Sequence, residues 1–226
     1  MRAVMIASAF DDLASVMPER LAQALGREII FAELAPGARI IEEDIARRYG
    51  VSRSPVRDAL KRLEADGLVI RENHRGARVT PISRRDLDEV YLCRIELEGM
   101  AAEVAAENWT EPDDLELRQK LDALRAAHGV GDIRSYFVAN VGFTDAIHRA
   151  SRNVTLQRLL KSVGKQALRY RFLAYQSVPG LMNTSVEGSQ QIVDLILGRD
   201  GAQARRITAK LIDSSWRSIR TAITYS

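Results

Sequence analysis

Cysteine is nearly missing from this sequence of 226 residues: Cys93 stands alone. One thiol closes no internal disulfide and builds no cysteine zinc site. Its place in a strongly helical run leads us to expect a half-buried side chain with no chemical role. Long apolar runs are missing as well, because charges interrupt every hydrophobic stretch before it reaches the roughly 20 residues of a membrane-spanning helix. The opening "MRAVMIASAF" is short and runs at once into Asp11 and Asp12, which argues against a secretory signal. Neither internal repeats nor low-complexity tracts occur. What remains is 46% hydrophobic and 28% charged, the composition of a folded cytosolic chain with length enough for two domains. A net charge of +3 and a pI near 9.2 permit nucleic-acid binding without requiring it.

What is there, up to about residue 82, reads as short elements. Leu21, Leu25, Ile29 and Ile30 recur at helical spacing from about Val16 to Phe31, and "LAPG" ends that run in a Pro-Gly turn. "IEEDIARRYG" is a short helix with acids in its first turn and arginines in its last, closed by Gly50. In "VSRSPVRDALKRLEADGLVI", either Ser52 or Ser54 serves as N-cap; with Ser54, Pro55 falls on the first helical position. Two helices joined by so short a turn form a helix-turn-helix. "LVIRENHRGARV" then reads as a two-stranded wing turning near Gly76, with Pro81 closing the module.

On a helical wheel, Val56, Ala59, Leu60 and Leu63 share one stripe, while Arg53, Arg57 and Lys61 share its neighbour. Residues 45–62 hold six basic residues against one acid, a local charge of +5. Solvated surface arginines are the plainer reading of such a stripe. The preceding helix, the tight turn and the basic wing favour a face for the DNA major groove. There Ser52 and Ser54 offer hydroxyls and helix-start N–H groups to phosphate, and Arg53 and Arg57 pair with phosphate or a guanine edge.

The stretch from "GREIIF" to "ARVTPI", with "L-x-PG", "GVSR-x-PVR-x-AL-x-RL" and "RG-x-x-V", resembles the DNA-binding domain of GntR-family bacterial transcription regulators. The resemblance implies recognition-helix contacts at Ser52, Arg53, Ser54 and Arg57 and wing contacts at Arg75 and Gly76. Arg47 would touch phosphate, and Arg48 is either a phosphate contact or a solvated helix end.

From "SRRD" (83–86), a capping-box pattern, helices run to about Asn108, then from "TEPD" (110–113) to about His128, and near 132–151, 154–176, 184–198 and 201–223. Six helices with short connections suggest an antiparallel bundle with room for a ligand. The expected fold is thus mainly α: a winged helix-turn-helix over 1–82 and an all-α bundle over 83–226. "RIELEGMAAEVAA", "NVGFTDAIHRASRN" and "SQQIVDLILGRDGAQA" resemble the FCD effector domain of the FadR-like branch of the same family.

Many FCD domains hold a divalent metal with one Asp and three His. The corresponding positions here are Asn140, Thr144, Ser189 (or Gly188) and Leu211 (or Lys210), which assemble no zinc or nickel site. Of the three histidines, His74 lies in the wing, His128 near a helix end, and His148 one turn after Thr144, without converging partners. No metal or other cofactor is expected. Asn140, Thr144 and Ser189 would instead face an organic ligand. Arg94 aligns with a pocket arginine of the family, or else pairs with Glu98 on the helix surface. Arg169 lies on a helix lining the other wall, and sequence does not rank it against Arg171. Two cavity arginines suit a carboxylate or a phosphate.

The reading is a one-component regulator, repressing as most relatives do, that binds operator DNA as a cytoplasmic homodimer and answers a small carboxylate. One alternative keeps the DNA-binding module and reduces the second domain to dimerisation. A DNA-tethered enzyme is the other, although the helical half shows no nucleophile-base pair, phosphate-cradling loop or acidic cluster.

Overall fold

In the computed structural model of the protein, residues 17–72 and 76–223 are described, and the chain divides between Ile82 and Ser83 into two units. The N-terminal unit opens with helix α1 (17–30), whose Leu21, Leu25 and Ile29 are buried. Strand β1 (Arg39–Ile40), α2 (Glu42–Tyr49), α3 (Arg53–Ala65), β2 (Val69–Glu72) and β3 (Gly76–Val79) follow. The wing gains a third strand that its sequence does not announce. β1 pairs antiparallel with β3 (Arg39 opposite Arg78), giving the order β1-β3-β2, and two residues are too few to show a period.

Gly50 ends α2 with φ +65 and returns its N–H to the carbonyls of Ala46 and Arg47, a left-handed cap that favours glycine. Ser52 is the N-cap of α3, so Pro55 is the third helical residue and not the first. Its missing N–H still belongs to the first turn, where donors lack helical acceptors anyway. The expected stripe of Val56, Ala59, Leu60 and Leu63 is buried on Leu25, Ile29 and Ile45.

The C-terminal unit is six helices: α4 (Arg84–Asn108), α5 (Glu111–Val130), α6 (Ile133–Ala150), α7 (Val154–Ser177), α8 (Leu181–Leu197) and α9 (Gly201–Ala222). Their starts are set by side chains. Ser83, Asp132, Asn153 and Asp200 each accept the backbone N–H three residues on, satisfying donors that a helix start leaves orphaned. α4 packs against α6, α7, α8 and α9. Its Ala102, Ala105 and Ala106 share one core with Leu117, Leu121 and Leu124 of α5, Phe143 and Ile147 of α6, and Ile192 and Ile196 of α8. Small residues let the helix axes approach. Among the described residues no helix is long and apolar enough to cross a membrane.

Three expectations need correction. Cys93 is exposed, because the buried positions of α4 around it include Val90, Tyr91, Arg94 and Glu98 and residue 93 falls outside that arc. The capping box at Ser83 is only half formed. Ser83 Oγ accepts from the Asp86 N–H at 3.3 Å, but the Asp86 carboxylate turns to Arg169 Nη2 at 2.7 Å and the Tyr170 hydroxyl at 2.5 Å. Arg169 is therefore buried in a tie between α7 and the start of α4, and it is not on the wall of the cavity described below.

Two stability predictions follow from this packing. A side chain at Gly99 would put Cβ 3.3 Å from the Arg205 backbone oxygen, so Gly99→Val forces α4 and α9 apart and costs roughly 1–3 kcal/mol in urea unfolding. Asp86→Ala strips the carboxylate from a buried guanidinium. Because the Asp86 side chain is 32% exposed, the loss belongs at the low end of the range for breaking such a pair, about 3 kcal/mol. A loss no larger than that of an exposed alanine control would show that Arg169 finds its charge balance elsewhere.

Candidate nucleic-acid interface and effector cavity

Ser52, Arg53, Ser54 and Arg57 all lie exposed along the start of α3. The Ser52 hydroxyl makes no capping hydrogen bond, which leaves it and the first N–H groups of α3 open to an anion. Both arginines carry an acidic partner from α2. Arg53 Nη2 meets Glu43 Oε2 at 2.8 Å, and Arg57 Nε donates to Glu42 Oε2 at 2.8 Å. The local charge count missed this by starting at residue 45, just beyond Glu42, Glu43 and Asp44. Exposed pairs of this kind contribute little in water, so a phosphate or guanine can displace the carboxylate at small cost. Arg47 is more exposed still, 3.4 Å from Asp44.

Arg48 has a different environment. It meets Glu28 of α1 at 2.6 Å, beside the Tyr49 hydroxyl that also donates to Glu28, so it holds α2 to α1. Gly76 begins β3 exposed with φ +89, a backbone state that suits glycine. Arg75 and His74 lie outside the described residues.

Between the helices of the C-terminal unit lies a cavity of about 80 Å³ lined by Arg94, Asn140, Thr144, Ser189 and Leu211, together with Arg171. Sequence reasoning had no means of choosing Arg171 over Arg169. Positions 169 through 172 of α7 are all buried, so no apolar stripe tells one side of the helix from another. Ser185, Tyr175 and Thr208 also line the cavity, and nothing in their spacing marked them.

Arg94 combines the two readings in a form neither gave: it lines the cavity and pairs with Glu98, but the pair is buried and not on the helix surface. Its Nη2 lies 2.7 Å from Glu98 Oε1, with both side chains at or below 10% exposure. Burial alone pushes the Glu98 carboxyl up. Arg94, with help from His148 and Arg171, outweighs burial and holds it well below the usual carboxylate range. Arg171 Nη2 donates to Asn140 Oδ1 at 2.6 Å and to Thr144 Oγ1 at 3.3 Å. Asn140 Nδ2 in turn donates to Ser185 Oγ at 3.3 Å. These bonds tie α6, α7 and α8 together around the cavity.

The four positions that hold a metal in related domains do not fit one here. Ser189 faces the cavity, while Gly188 is pressed on Leu211, whose Cδ2 would sit 2.8 Å from an added Cβ. The donors are then one amide oxygen already engaged by Arg171 and two hydroxyls, the fourth position being an aliphatic side chain with none, and two guanidiniums stand in the same wall. Divalent cations seek carboxylate, imidazole or thiolate, and fixed positive charge repels them. His148 approaches Glu98 and Asp145 only at 3.8 and 3.9 Å. Beyond the wall of Glu98, Thr144 and Arg171, a wider groove of about 360 Å³ runs past His148, Lys161 and Lys165.

Comparison with known proteins agrees with both units. The profile described as "Bacterial regulatory proteins, gntR family" matches residues 18–79, and that of the FCD domain matches residues 89–214. The chain is 31% identical over 173 residues to the probable D-xylose utilization operon transcriptional repressor of Paenarthrobacter nicotinovorans, covering 76% of this chain and 75% of that protein. It is 27% identical over 192 residues to the transcriptional regulator McbR of Escherichia coli K12, covering 84% and 87%. The solved structure of E. coli McbR/YncC superposes with a TM-score of 0.79 at 25% identity, covering 90% of this chain and 96% of that one. A regulator structure from Rhodococcus sp. RHA1 shares the fold at 23% identity, with a TM-score of 0.75 and coverage of 92% and 99%. With both domains matched in order along one sequence, this chain belongs to the GntR family of bacterial transcription regulators, in the branch that carries an FCD domain.

Proposed function

We propose that this regulator represses its target genes by binding operator DNA as a cytoplasmic homodimer, and releases it when a small carboxylate fills the helical cavity. The observation that carries the DNA reading is the face of α3, where Arg53 and Arg57 stand exposed beside a buried apolar stripe and pair only with the exposed Glu43 and the half-buried Glu42. Ser52 and Ser54 supply phosphate contacts at the helix start, and Arg47, Arg75 and Gly76 add further contacts to the DNA. Repression is the role that the name of the P. nicotinovorans relative gives to that protein. A two-fold dimer reads a pseudo-palindrome whose half-site spacing mirrors its symmetry.

Within the cavity, Arg94, Asn140, Thr144 and Ser189 form the wall that meets the effector, Arg171 takes the place expected of Arg169, and no metal takes part. The family profiles and relatives concern DNA-binding regulators, so the tethered-enzyme alternative has no support. A purely dimerising second domain is the competing reading, favoured by the missing metal ligands.

The test uses DNA from the protein's own promoter region at fixed salt. Footprinting shows a protected pseudo-palindrome, and Arg57→Ala weakens operator binding by roughly 1–3 kcal/mol while its far-ultraviolet spectrum stays unchanged. Equal affinity of the two proteins removes Arg57 from the contact surface.

A further inference from the structure

The cavity of the C-terminal unit holds more positive charge than its own acids neutralise. Glu98 is closed on Arg94 at 2.7 Å. Arg171, only 9% exposed, ends its hydrogen bonds on the neutral oxygens of Asn140 and Thr144. Among the cavity-lining residues are two guanidiniums and a single carboxylate, so one positive charge is left unmatched. A buried cation without a counter-charge is costly, and a bound anion removes that cost.

A second observation, on a different helix, points to the same space. Thr208 of α9 lines the cavity, is buried, and its Oγ1 has no hydrogen-bond partner. Buried hydroxyls are almost always bonded, so this one lacks a partner that a ligand can supply. Size limits the ligand further. At on the order of 10–15 Å³ for each water-sized position, the cavity of about 80 Å³ takes roughly half a dozen non-hydrogen atoms. Phe143, Ile147 and Ile192 add apolar wall for a short alkyl group.

We infer that Arg171 is the anion anchor of this cavity, and that its guanidinium supplies the fixed positive charge a metal would otherwise supply. The ligand is a hydroxy-monocarboxylate of three or four carbons. Its carboxylate pairs with Arg171, and its hydroxyl bonds Thr208 Oγ1. One unmatched charge favours a monoanion over a dicarboxylate, and binding is indifferent to chelators. The inference rests on the effector reading given above and specifies which residue holds the acid.

Lactate, propionate, lactamide and succinate serve as probes against the full-length protein after dialysis with EDTA, by calorimetry and thermal shift. Lactate binds as well with EDTA as without it, ahead of propionate, while neutral lactamide and doubly charged succinate do not bind. Arg171→Gln weakens lactate roughly 10- to 100-fold, the scale of hydrogen bonds to a charged group. Thr208→Val leaves propionate unchanged and brings lactate down to it. Should Arg171→Gln fail to fold by circular dichroism, Thr208→Val and the chelator comparison decide the matter on folded protein. Lactate binding that EDTA abolishes, or that survives in folded Arg171→Gln, overturns the anchor and leaves the effector reading standing. No response of the wild-type protein to any of the four probes removes both.

Discussion

A guanidinium taken out of water must be given an anion or a set of lone pairs, and this constraint separates the arginines of the chain by role. Arg169 receives the carboxylate of Asp86, and Arg94 receives that of Glu98. Both are then neutralised and act as packing elements of the bundle. Arg53 and Arg57 also have carboxylates, but in water, where the same contact is weak and easily exchanged. Arg171 alone of the cavity arginines is buried on neutral oxygens. The same side chain thus serves as a structural tie, as a displaceable surface contact or, on the proposal above, as an anion receptor, and its burial together with its counter-charge decides which.

Patterns confined to one helix were legible in the sequence. The buried stripe of α3 from Val56 to Leu63 and the cap at Gly50 follow from spacing and backbone preference, and both stand in the structure. What needed a partner from elsewhere was not legible. Asp86 sits where a capping box would use it, yet Arg169 lies 83 residues on and takes its carboxylate. Strand β1 exists only because β3 is beside it. The acids that restrain Arg53 and Arg57 are in the first turn of the preceding helix, and only the fold brings that turn beside the start of α3. Arg171 was hidden for another reason: α7 is buried around most of its circumference there, and periodicity carries no direction when every side is inside.

The wall formed by Glu98, Thr144 and Arg171 belongs to both the inner cavity and the outer groove. The groove carries Arg149, Lys161 and Lys165 beside the acids Glu98 and Asp145, so basic residues outnumber acids along its walls, as a route for anions requires. The same wall explains why Glu98 is useful although it lowers the net charge. Without its carboxylate, Arg94 would be a second uncompensated cation, and the cavity would favour a doubly charged ligand or water.

Tyr170 and Arg171 are consecutive, and they face different tasks. Arg171 lines the cavity, while the Tyr170 hydroxyl lies 3.2 Å from the Ser83 carbonyl oxygen and 2.5 Å from Asp86, at the first residues of the C-terminal unit. α7 is a continuous helix across both residues, so a shift of its backbone at Arg171 is also a shift at Tyr170. A ligand alters DNA affinity only through a difference in its own affinity for two states, and couplings of this kind are typically about 1–3 kcal/mol. One charge-assisted hydrogen bond, made in one position of α7 and lost in another, is of that size. On the proposal above, the anion anchor at Arg171 and the Tyr170 contacts with Ser83 and Asp86 are carried by one helix, and the free energy of binding one small anion is of the size that such a coupling requires.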